Sequence, residues 1–77
     1  MSAIDKVRRI ERLASIPAKY RDNWLPLANK LAVPVRSEIE RLRTFAELQS
    51  GFVANHCRET ASRIETELQL ALDSFKS

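Results

Sequence analysis

Apolar residues recur along the chain at steps of three and four, the spacing of one face of an α-helix, in three successive runs. In the first, Ile4, Val7, Ile10, Leu13 and Ala14 share a broad face. At about 100° per residue, Arg8, Arg9 and Arg12 fall opposite them. Ser2 and Asp5 place a hydroxyl and a carboxylate where the first free N–H groups of a helix need acceptors, so the spacing predicts a helix over residues 3–15. Pro17 ends it and can open the next, because the N–H it lacks would be unpaired in a first turn anyway.

Tyr20, Trp24, Leu27 and Leu31 carry the second run, which predicts a helix over 18–32. Pro26 is expected to kink or divide it, and Pro34, within the segment AVPV, to break the chain in a tight connection. The third run holds Val35, Ile39, Leu42, Ala46, Gln49, Val53, Cys57, Thr60, Ile64, Leu68, Ala71 and Phe75 on one stripe. That stripe passes Gly51, the only glycine, without a change of phase. A glycine inside a helix costs about 1 kcal/mol relative to alanine, so the pattern predicts one helix over 35–75, about 60 Å long.

Phe45, Leu48 and Phe52 form a second apolar group, beside or opposite the stripe and confined to the middle of that helix. A helix apolar on two faces needs two neighbours. The expected fold is therefore all-α in a single domain spanning 1–77: two short N-terminal helices pack on a long C-terminal helix, and a second copy covers the other face in a dimeric helical bundle. Ile39, Leu42, Val53, Cys57, Ile64 and Leu68 are the expected dimer interface. The stripe mixes Ala, Gln, Thr and Cys with large residues at steps nearer 3.6 than 3.5, the pattern of a globular dimer more than of an extended coiled coil. The alternative is a turn at Gly51 and a monomeric four-helix bundle.

Length adds weight to association. At 77 residues the core is small, and such chains gain from a metal, disulfides or self-association. The single Cys57 cannot form an internal disulfide, and with the single His56 it falls short of a structural zinc site. A makeup 44% hydrophobic and 30% charged is that of a folded chain. No apolar run approaches a membrane span, and MSAIDKVRRIERL lacks the apolar stretch of a signal peptide, so a cytoplasmic protein without a transmembrane segment is expected.

Charge is uneven. Ten Lys/Arg against five Asp/Glu leave residues 1–43 at +5, and three against five leave residues 44–77 at −2. The basic half suits an acidic partner, nucleic acid included, or the attraction of two halves in a dimer.

Catalytic chemistry is scarce. His56 and Cys57 point about 100° apart on a helix and do not form a nucleophile–base pair. Cys57 lies on the apolar stripe, where a buried thiol behaves as a small hydrophobe. Glu38–Arg41, Glu40–Arg43 and Glu59–Arg63 read as surface pairs, and one glycine cannot build a phosphate-cradling loop. No catalytic residue, cofactor or metal site is expected.

What is left is binding. Arg8, Arg9 and Arg12, with Lys19 and Arg21 behind them, could meet phosphates, although Asp5, Glu11 and Asp22 are interspersed. Tyr20 and Trp24, one turn apart in KYRDNW, combine aromatic area with neighbouring charges in the way of interface anchors. The expectation is a non-catalytic protein–protein interaction module, an adaptor, regulator or inhibitor that occupies a partner's surface through Tyr20, Trp24, Arg8, Arg9 and Arg12. The rival is a small basic nucleic-acid-binding protein using the arginine face of the first helix.

Overall fold

A computed structural model describes residues 2–75. It is all-α, with three packed helices and no strand among the described residues: α1 (Ala3–Ala14), α2 (Ala18–Glu47) and α3 (Gly51–Asp73). The helices run up, down and up in a bundle 48 Å long and 17 Å across.

Helix α1 begins as its residues dictate. The Ser2 hydroxyl accepts from the Asp5 N–H at 3.2 Å and the Asp5 carboxylate accepts from the Ser2 N–H at 3.4 Å, a reciprocal capping box. Val7, Ile10 and Ala14 are buried, while Arg8, Arg9 and Arg12 lie on the opposite, exposed side. Pro17 stands at the N-cap of α2.

Two expectations about breaks are corrected. Neither Pro26 nor Pro34 interrupts α2, which is continuous over 30 residues. Each proline removes the bond to the carbonyl four residues earlier, at Asp22 and at Lys30, at a cost of up to about 3 kcal/mol. Both of those residues are exposed, so water can serve the freed carbonyls, while Ala28, Ala32, Val35 and Ile39 on the inner face are buried and hold the helix together.

The chain instead reverses where a continuous helix was expected. α2 ends at Glu47, residues 48–50 turn, and Gly51 enters α3 at a φ of +63°, a left-handed value that glycine adopts without steric cost. The long helix over 35–75 is thus two antiparallel helices, and with Pro34 inside α2 the count is three rather than four. The unbroken phase of the stripe is not evidence of an unbroken helix. Both arms of a hairpin must face each other, so each carries its apolar residues inward, and here the three-residue turn joins two stripes in apparent register.

The stripe itself forms the core. Val35, Ile39, Ala61, Ile64, Leu68 and Ala71 are buried together with Val7 and Ile10 of α1. Ile39, Cys57, Ile64 and Leu68, expected at a dimer interface, are buried inside one chain, and Leu42 packs against the same core. Of that set only Val53 is half exposed, at 46%. These side chains therefore do not offer a surface to a second copy in this fold.

The outer seams are polar. Arg43 of α2 pairs with Glu65 of α3 at 3.0 Å rather than with Glu40, and Arg63 pairs with Glu67 rather than with Glu59. Glu38–Arg41 forms as the spacing predicts. At the far end of the bundle the Arg21 guanidinium donates to the Ser74 carbonyl oxygen at 3.1 Å, tying the start of α2 to the end of α3.

Candidate functional site

Three outward-facing features stand out, and the helix termini decide where each lies. The first is the arginine face of α1. Arg8, Arg9 and Arg12 line one shallow surface depression with Asp5. Among the described residues none of the three arginines forms a salt bridge, so their charge is offered to solvent. Asp5 is committed to the helix cap and dilutes the positive field there.

The second is the aromatic pair at the start of α2. Tyr20 is 49% and Trp24 41% exposed, and the Lys19 ammonium lies 4.9 Å from the Tyr20 ring centroid. Neither aromatic contributes to the depression lined by the arginines, so the five residues expected to meet a partner do not share one concave site.

The third is the tip of the α2–α3 hairpin, which sequence reasoning noticed only as an apolar surplus. Phe45 and Leu48 close α2, Phe52 and Val53 open α3, and the chain reverses between them. Leu48 is 78% and Phe52 82% exposed, the two most exposed large apolar side chains described. The Phe52 ring is stacked on His56, with centroids 6.2 Å apart and planes 9° from parallel. Behind this surface the buried residues are small: Ala46, Ala54 and Cys57. The large side chains of the tip lie outside this small-residue interior. The signal that could have found the tip was already present, because Phe45, Leu48 and Phe52 are off the stripe and flank the only glycine.

Titratable chemistry in these regions is modest. The Arg43 guanidinium holds the Glu65 carboxyl below its ordinary range, first through their hydrogen bond and then through charge, and Glu65 raises Arg43 in return. Cys57 is a buried free thiol, whereas the adjacent His56 is exposed. Among the described residues no three His, Cys, Asp or Glu side chains gather to hold a metal ion, and no helix is long and apolar enough to cross a membrane. Comparison of the chain with protein-family models, with curated proteins and with solved structures finds no match.

Proposed function

We propose that the protein is a non-catalytic protein–protein interaction module, an adaptor, regulator or inhibitor that acts by occupying a surface. The observation that carries this reading is the exposure of Leu48 and Phe52, at 78% and 82%, on the tip of the α2–α3 hairpin. Leaving two large apolar side chains in water forgoes about 1.5–3 kcal/mol apiece of available burial, which a partner's surface would recover. Tyr20, Trp24, Arg8, Arg9 and Arg12 are further outward-facing groups that a larger partner would reach.

A photo-cross-linker placed at the exposed Gln49 tests the reading, because it sits in the turn without belonging to the core. A discrete cross-linked product that disappears in Leu48→Glu/Phe52→Glu and persists in Arg8→Glu/Arg12→Glu supports the tip as the contact surface. A product indifferent to the tip substitutions would overturn it.

Arg8, Arg9 and Arg12, which form no salt bridge among the described residues, favour a second reading, binding of nucleic acid along α1. Titration of labelled duplex and single strands at two salt concentrations decides it, since phosphate-driven binding must weaken as salt rises. Absence of binding at low salt removes the reading.

A further inference from the structure

We infer that the arginine face of α1 takes the phosphate backbone of a nucleic-acid duplex and does so without reading its bases. The inference rests on the reading of α1 as a nucleic-acid surface and names the form of the ligand and the mode of contact.

Charge spacing selects the form. Arg8, Arg9 and Arg12 line one depression on the outer side of α1, all three are exposed, and among the described residues none of them forms a salt bridge. From Arg8 to Arg12 the helix rises about 6 Å, so the face presents one cation for about every 2 Å of its axis. A duplex carries one phosphate charge for about every 1.7 Å of its axis, and a single strand one for about every 3.4 Å. An extended acidic peptide rises about 3.3 Å per residue and turns alternate side chains away, so it brings about one carboxylate to the same stretch. Of the three, the duplex alone meets three arginines with three anions in that length.

The remaining residues of the helix argue the same way. Asp5 shares the depression, but its carboxylate accepts the Ser2 N–H at the beginning of α1, and the arginines follow it in the chain. The apolar residues that an amphipathic helix lays into a membrane surface, Val7, Ile10 and Ala14, are buried inside the bundle. No aromatic side chain lines the depression, so unpaired bases find no platform there on which to stack.

Shape decides the mode. α1 packs on both α2 and α3, in a bundle 17 Å across. The major groove of B-form DNA is about 12 Å wide, so the bundle spans it instead of entering, and α1 meets the phosphates at its rim. Contacts confined to phosphates position a protein but carry no sequence information. With three phosphates neutralised, affinity falls as about the −2.7 power of salt concentration, a loss of about 40-fold between about 50 and about 200 mM salt.

The experiment is fluorescence anisotropy of two labelled duplexes of unrelated sequence, and of their separate strands, titrated with the full chain across that salt range. Both duplexes are expected to bind alike with the stated salt dependence, and the single strands to bind several-fold more weakly with a shallower one. Arg8→Glu/Arg12→Glu is expected to abolish duplex binding with an unchanged far-UV helical spectrum, since both positions are exposed. Arg36→Glu/Arg58→Glu, which makes the same change of net charge at exposed positions elsewhere, is expected to retain it. Equal loss in the two variants would overturn the placement on α1. Single strands that bind as tightly as duplexes, or two duplexes that differ, would overturn the inference while leaving the nucleic-acid reading intact. Displacement of the duplex by poly-glutamate or by phosphatidylserine vesicles at equal charge concentration would also overturn it, by making any polyanion the ligand. No binding of either form at low salt would remove the reading and the inference together.

Discussion

The guanidinium of Arg43 on α2 donates a hydrogen bond to the carboxylate of Glu65 on α3 at 3.0 Å, across 22 positions of sequence. In a continuous helix the same residues would stand about 33 Å apart. Their ion pair exists only because the chain reverses at 48–50. The Glu65 carboxyl is held below its ordinary range by Arg43, so the pair's contribution is present above the unfolded glutamate value, about 4.3, and is lost as pH falls through the lower folded value. Thermal melts at low salt should show stability declining through that acid window. Glu65→Gln should flatten the decline selectively, and an unchanged profile would remove the pair from the stability of the hairpin.

Gly51 gives a second prediction. A Cβ added there meets nothing within 4 Å, so any cost of Gly51→Ala comes from the backbone φ of +63° alone. We expect a loss of about 1–2 kcal/mol in urea unfolding, with Gly51→Asn costing less because asparagine tolerates that region better. Stabilisation by alanine would mean that the helix runs through this position after all.

Pro26 is exposed and sits inside α2. Pro26→Ala restores one helical hydrogen bond without removing core packing, against a smaller gain of disorder in the unfolded chain. The net expectation is a stabilisation of about 1–2 kcal/mol, read as a raised Tm. A fall in Tm would show that Pro26 contributes more to the folded state than the helical hydrogen bond it removes.

Burial separates two aliphatic residues that look alike in composition. Ile10 is fully buried and Val33 is 60% exposed. Ile10→Ala is expected to cost about 2–5 kcal/mol, a large part of the stability of a chain this size, while Val33→Ala stays within about 0.5 kcal/mol. Denaturant titration of both variants measures the contrast, and equal effects would contradict the packing of α1.

The candidate surfaces were legible to different degrees. The exposed side of α1 was readable, because Arg8, Arg9 and Arg12 oppose Val7 and Ile10 at any helical angle. The tip was readable only as a surplus: Phe45, Leu48 and Phe52 were plainly off the stripe, but a straight helix would spread them along its middle rather than gather them at an end. Periodicity states that a face is covered and is silent on which chain covers it, and in this fold Ile39, Cys57, Ile64 and Leu68 are covered within one chain.

By itself the sequence determined that the chain is helical, where α1 starts, and which side of each helix is apolar, since capping groups and periodicity act within a few residues. Tertiary structure alone decided the rest. Whether a proline breaks a helix depends on whether buried neighbours such as Ala32 and Val35 hold its two sides in line. Whether a glycine turns the chain depends on the free energy of packing α2 against α3, gained through residues such as Ile39 and Leu68 that lie far from Gly51 in sequence. Those long-range contacts outweigh local preference, which differs by only about 1 kcal/mol between a glycine in a helix and an alanine.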